Sequence, residues 1–255
     1  MKKFQIGVVQ LNYDKSDEAV IDDIKKYLKI AKEKGVDIIC FPESSLYLGP
    51  KKNLEVLYEI REECKKHKMW SIVVGHFMEK GHEYNMAVLI DNKGNVAGKH
   101  RKVHISFPGE AVAGSKFDIY ITPFGKIGIA ICWDISHPHS IHRLAKKGAK
   151  VIFCPMYWAL DVWAHRKHHV KPEKKILESL ILTRAYENLM YVAFCNAYDK
   201  TDPELVSYSA IAEPHKIVSE IFNKEGLITA DIDLGYLKRI RKRYHKEYYK
   251  LVSKD

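Results

Sequence analysis

Nowhere in its 255 residues does the chain carry an unbroken apolar run of the roughly eighteen residues that a membrane-crossing helix needs. The opening "MKKFQIGVVQLNYDK" lacks the long apolar region and small-residue cleavage site of a secretory leader. These absences predict a soluble, cytoplasmic protein with no membrane partner. Cysteine is scarce too: Cys40, Cys64, Cys132, Cys154 and Cys195 are five, an odd number, far apart and without a C-x-x-C pair. That spacing excludes a disulfide framework and a zinc knuckle and predicts reduced thiols. No Ser/Gly-rich linker, internal repeat or low-complexity tract interrupts the sequence. One domain spanning residues 1–255 is therefore expected, long enough to bury a large core and ending in a basic segment from about residue 235.

What the chain has in excess is positive charge. Forty-two Lys and Arg stand against 32 Asp and Glu, a formal net charge of +10. The basic residues are mostly lysine and are dispersed, as on a solvated surface, so the expectation is no nucleic-acid partner. Two denser patches are "HRKHHVKPEKK" (165–175) and "KRIRKRYHKEYYK" (238–250).

Periodicity orders the elements. "FQIGVVQL" alternates as a strand does. The helix that follows, in "SDEAVIDDIKKYLKIAKEKG", has Ser16 to cap it, an acidic first turn, a basic last turn and Gly35 to end it. "VDIICFPE" reads as a buried strand stopped by Pro42, "NLEVLYEIREECKKHK" as a helix and "WSIVVGHFM" as a strand. Two hairpins come next, turning at Asp91-Asn92-Lys93-Gly94 and at Pro123-Phe124-Gly125. A helix from about Pro138 to Lys147 then closes at Gly148, followed by the strand "KVIFCP". The helix "EKKILESLILTRAYENL" leads to the strand "MYVAFCNA", three short strands (207–212, 216–222, 227–232) and a basic C-terminal helix. Helices alternating with strands, with hairpins among them, predict an α/β fold: mixed sheets with helices outside.

In open α/β architectures, chemistry gathers beyond the carboxyl ends of strands. Three reactive side chains fall there: Glu43 after "DIICFP", Lys102 after the first hairpin and Cys132 after "KIGIAI". A thiol with an ordinary pKa of about 8.5 needs a base or a cation beside it to attack near neutrality. A carboxylate can be that base, and a lysine can stabilise the oxyanion formed when a thiolate adds to a carbonyl or nitrile carbon. The amides after Cys132, Trp133 N–H first, face the same charge if a helix starts there.

"FPESSL", "GKHRKVHI" and "GIAICWDISHP" resemble, in this order, the three signature segments of the nitrilase, or carbon–nitrogen hydrolase, superfamily. "QIGVVQLN", "NMAVLIDNKGNVAGKHRK", "GAKVIFCPMYW" and "RAYENLMYVAFCNA" resemble its framework, so the likeness covers most of the chain. The resemblance implies a four-layer αββα sandwich that pairs into a homodimer or larger assembly. It implies that Cys132 is the nucleophile of a thioester mechanism, Glu43 the general base and Lys102 the oxyanion stabiliser. A second glutamate often stands between the lysine and the cysteine in the family. Glu110, the only carboxylate between Lys102 and Asp118, is the candidate to orient the lysine or the substrate. Trp133 and Trp158 are similar in position to residues that border the substrate in relatives, and His137 stands where an aromatic residue is more common, so these three are the expected substrate contacts. The likeness implies no metal and no cofactor, although His137, His139, His142 and His165, His168, His169 have spacings that zinc sites use. Ser207-Tyr208-Ser209 and "AEPHKIVSE" depart from the family's late strand and turn glycine, which bears on the shape of that hairpin.

The expected reaction is hydrolysis of a small-molecule amide or N-carbamoyl compound at a non-peptide C–N bond. An amidase is favoured over a nitrilase because Trp-Asp, where many nitrilases have Trp-Glu, follows the cysteine. A nitrile as substrate, or a non-catalytic scaffold, is the alternative. The basic stretch containing Arg166 and Lys167 would suit a substrate bearing a carboxylate.

Overall fold

The computed structural model describes residues 3–106, 109, 111–160 and 170–244. Glu110, residues 165–169 of the first basic patch and residues 245–250 of the second lie outside them. The chain begins β1 (Lys3–Gln10), α1 (Asp17–Glu33), β2 (Ile38–Cys40), α2 (Pro50–His67), β3 (Trp70–Glu79), β4 (His82–Ile90), β5 (Val96–Arg101). It continues β6 (Ile119–Thr122), β7 (Gly125–Ile129), a 3-10 turn (Cys132–Ser136), α3 (Pro138–Lys146), β8 (Val151–Pro155), α4 (Val170–Asn188), β9 (Tyr191–Cys195). It closes with β10 (Tyr208–Glu213), β11 (Lys216–Phe222), β12 (Gly226–Asp233) and α5 (Leu234–Tyr244). Among the described residues the strands form two six-stranded sheets, ordered β12-β1-β2-β3-β4-β5 and β11-β10-β9-β8-β7-β6.

Strand alternation explains the layering, since successive side chains leave a strand on opposite faces. Val8, Ile38, Cys40, Ile72, Val74 and Leu89 of the first sheet join Ile127, Ile129, Val151, Phe153 and Ala193 of the second in one buried core. Their neighbours Val9, Ile39, Val73 and Val88 point the other way, into a second core with Ile24 and Leu28 of α1 and Val56 and Ile60 of α2. On the far side, Ile141 and Leu144 of α3 and Leu177 and Ile181 of α4 cover the second sheet. The layers therefore run helix, sheet, sheet, helix, the α/β sandwich expected of the sequence. Each fully buried Ile, Leu or Val contributes about 1.5–3 kcal/mol by leaving water.

Local chemistry sets the ends. The Ser16 side chain accepts from Ala19 N–H at 3.3 Å to start α1. Asp91 Oδ1 accepts from Lys93 N–H and Asn95 N–H, both at 2.8 Å, to shape the β4–β5 turn, where Gly94 takes φ +78°. The β10–β11 hairpin closes over Pro214-His215 without a glycine and absorbs the irregularity as a register shift at Ile211/Ala212. Some boundaries differ from the sequence reading, and α4 starts at Val170, three residues early. Helix α2 starts at Pro50, whose fixed φ suits a first helical position, and a 3-10 turn intervenes between Cys132 and α3.

Pairing of the sheets brings strand ends together. β1, β2 and β3 are mutually parallel, as are β7, β8 and β9. The carboxyl end of β1 meets that of β9 at the Asn12–Tyr198 bridge. The carboxyl end of β2 meets that of β8, where Glu43 N–H donates to Met156 O at 3.2 Å.

Candidate active site

Glu43 follows Phe41 and Pro42 just past the carboxyl end of β2, where the two sheets meet, and is only 4% exposed. Its carboxylate is well supplied with donors. Oε1 accepts from Lys102 Nζ at 2.9 Å and from Asn85 Nδ2 at 2.8 Å, and Oε2 accepts from Tyr157 N–H at 3.0 Å. Tyr13 O–H fixes the backbone behind it by donating to Glu43 O at 2.8 Å.

Lys102 follows β5 directly and is 2% exposed. Its backbone is held on both sides: Lys102 N–H donates to Asn85 O at 2.9 Å, and Gly114 N–H donates to Lys102 O at 2.7 Å. Gly114 packs so closely that a Cβ there would lie 2.5 Å from Arg101 O, which only glycine avoids.

Cys132 ends the stretch after β7 and takes φ +46°, a left-handed conformation that an L side chain adopts at a cost of about 1–3 kcal/mol. Asp134 N–H donates to Ile131 O at 3.0 Å, closing the 3-10 turn. The N–H groups of Cys132 and Trp133 precede that first bond, so helical bonding leaves them over. The thiol is buried and rests 3.9 Å from Tyr157 O. Burial pushes its pKa well above the usual cysteine range, the Glu43 carboxylate pushes it further, and the Lys102 ammonium opposes both. At neutral pH the thiol keeps its proton beside an ion pair that can take the proton and hold the thiolate.

The three side chains picked out at strand ends thus meet at one point. Trp133 is 43% exposed, and its ring lies 5.6 Å from that of Trp158. Trp158 Nε1–H donates to Glu173 Oε1 at 2.9 Å, anchoring the pair to α4. His137 lies edge-on to Trp133 at 6.3 Å and stacks on His104 at 3.7 Å. Burial and the neighbouring His104 and His139 hold the His137 pKa below the ordinary histidine value. His142 faces Asn188 Oδ1 at 3.3 Å, away from this group. Arg184 and Glu187 pair at 3.1 Å while Arg184 Nε donates to Ile135 O at 2.9 Å, bracing the cysteine turn.

Several contributors escaped the sequence reading. Asn85 sits mid-strand in β4 and Tyr13 beyond β1, while Tyr157 acts through its backbone N–H, so no residue type marked it. A cavity of about 430 Å³ is lined by Tyr13, Asp17, Ser44, Leu48, Tyr157 and Asp199 among others; it adjoins the site through Tyr13 and Tyr157, and Glu43, Lys102 and Cys132 are not in its wall.

Comparison with known proteins shows the family and the fold. The carbon–nitrogen hydrolase family profile matches residues 5–242. An omega-amidase, NIT2, of Xenopus tropicalis is 27% identical, the match covering 95% of this chain and 93% of that protein. A 2-oxoglutaramate amidase of Bacillus subtilis is 28% identical over 91% of this chain and 92% of its own. The crystal structure of a carbon–nitrogen hydrolase from Helicobacter pylori G27 has the same fold, with a TM-score of 0.84 at 21% identity, covering 98% of both chains. Over nearly its whole length, then, this chain belongs to the carbon–nitrogen hydrolase family.

Proposed function

We propose that the protein is an amidase that hydrolyses a small linear amide through a thioester on Cys132. The observation that carries this reading is the buried contact of Glu43 with Lys102 at 2.9 Å, both acting electrostatically on the Cys132 thiol. The names of the omega-amidase and 2-oxoglutaramate amidase relatives support an amide over a nitrile.

In the acylation step, Glu43 takes the thiol proton as sulfur bonds to the carbonyl carbon and the C=O pair moves onto oxygen. Lys102 Nζ and the Trp133 N–H stabilise that oxyanion. Collapse breaks the C–N bond, and the proton on Glu43 goes to the leaving nitrogen, releasing ammonia. Glu43 then deprotonates a water, whose oxygen adds to the thioester carbon. Collapse of this second oxyanion breaks the C–S bond, returns the proton to sulfur and frees the carboxylic acid. Glu110, outside the described residues, is the proposed partner of Lys102 or the substrate. Trp133 and Trp158 border the substrate, with His137 behind them. The acyl chain extends into the cavity lined by Tyr13, Leu48 and Tyr157. The protein works as a homodimer or larger assembly, a reading supported by Ile176 and Tyr186, 56% and 51% exposed on α4.

Ammonia release across a panel of carboxylate-bearing amides, N-carbamoyl compounds and nitriles tests the reading, with Cys132→Ala in parallel. Release from the amides that disappears in the variant is the expected result. Preference for nitriles would overturn the amidase assignment. Silence across the panel, with Cys132 no faster toward iodoacetamide than the other thiols, would overturn the enzyme itself.

A further inference from the structure

Asp134 lies two residues past the nucleophile, yet its carboxylate is wholly buried. Oδ2 accepts from Ile131 N–H at 3.0 Å and from His100 Nε2 at 3.2 Å. Oδ1 accepts from His104 N–H and from His104 Nδ1, both at 2.8 Å. Ile131 immediately precedes Cys132, and His100 and His104 flank Lys102 at two positions on either side. A single carboxylate therefore joins the segment that carries the nucleophile to the segment that carries the lysine.

The chemistry of the join is specific. Burial alone would raise the Asp134 pKa, but hydrogen bonds from His100 and His104 bring it below the ordinary carboxylate range. As an anion it only accepts, so each imidazole must present an N–H, His100 at Nε2 and His104 at Nδ1. Side contacts limit sliding: the Phe117 ring lies 5.6 Å from His100 and 6.0 Å from His104, and His137 covers His104 at 3.7 Å. The left-handed turn at Cys132 persists only where its surroundings over-determine it. Ile131 N–H to Asp134 Oδ2, with Asp134 N–H to Ile131 O, closes that turn from both directions.

We infer that Asp134, gripped by His100 and His104, is a positioning residue that sets the Cys132 thiol against the Lys102 ammonium and so governs the rate of the covalent steps, not substrate affinity. This rests on the proposed roles of Cys132 and Lys102. Glutamine at position 100 places an amide N–H where Nε2–H stands, and asparagine at position 104 does so for Nδ1–H. Leucine at either position removes the donor. Misplacement of reacting groups by about 1 Å costs about 100-fold in rate. Asp134→Asn, His100→Leu and His104→Leu should lower kcat by about that factor with KM little changed. His100→Gln and His104→Asn should keep most of kcat.

Rates are compared per folded molecule, well below each variant's melting temperature. The inference is overturned if kcat of Asp134→Asn equals that of the native protein, or if the leucine and amide variants lose activity alike. Should Asp134→Asn not fold, the contrast between the leucine and amide variants at positions 100 and 104 carries the same decision. The pH profile of Cys132 alkylation by iodoacetamide reads the clamp without turnover. If the native protein hydrolyses no amide, the amidase reading falls, while an altered alkylation profile in the leucine variants still upholds the clamp and an unaltered one overturns it.

Discussion

Replacing Lys102 by methionine removes the ammonium 2.9 Å from Glu43 Oε1 and leaves the carboxylate buried at 4% exposure. Breaking a buried pair by deleting one partner costs about 3–5 kcal/mol, because the remaining charge is stranded away from water. For a chain of this size each kcal/mol moves the melting temperature by about 2–4 °C, so Lys102→Met should melt about 6–20 °C lower. A second change, Glu43→Gln, removes the stranded charge and keeps an acceptor for the Tyr157 N–H. Replacing a buried ion pair by neutral groups of similar volume is often neutral or stabilising, so the double variant should recover most of the loss. Both variants should be inactive toward amides. Thermal unfolding by calorimetry, with urea unfolding as a check, measures the series. If the double variant melts no higher than Lys102→Met, the desolvation reasoning is wrong. Recovery of stability without activity would mean that function, and not folding, keeps these charges in the core.

Two further outcomes follow from the site. In Glu43→Gln the thiol loses a negative neighbour that raises its pKa while Lys102, which lowers it, remains. The ultraviolet absorbance of the Cys132 thiolate, taken against a Glu43→Gln/Cys132→Ala control, should therefore appear at lower pH than in the native protein even as amide hydrolysis is lost; a shift to higher pH would contradict the electrostatics. Leu48→Trp narrows the cavity lined by Tyr13 and Tyr157. It should raise KM about tenfold or more for amides with long acyl chains and spare the shortest ones, whereas an equal effect on both would place the acyl chain elsewhere.

Much of the scaffold was legible because local rules wrote it. The Ser16 cap, the Asp91–Gly94 turn and the alternating strands formed where residue chemistry required. Glu43, Lys102 and Cys132 stood out because each follows closely on a strand. The 3-10 turn at Cys132 was not legible, since a positive φ at a non-glycine residue leaves no compositional trace. Neither was Asn85, a polar residue inside a strand that lies 42 positions from the carboxylate it serves. Asp134 was visible only as the residue after Trp133, and its two histidine partners only as members of the segment "GKHRKVHI" around Lys102.

By itself the sequence determined the element order, the layered α/β class and the three side chains at strand ends. Hydrophobic period, caps and turn residues are short-range properties, and each is complete within a few positions. Only the tertiary structure decided which groups meet there. Pairing the two sheets brings the Tyr157 N–H to Glu43 across 114 positions, and it fits the Asp134 carboxylate between His100 and His104. Those contacts depend on distances that sequence spacing does not encode, and the burial that makes them strong exists only once the core has closed.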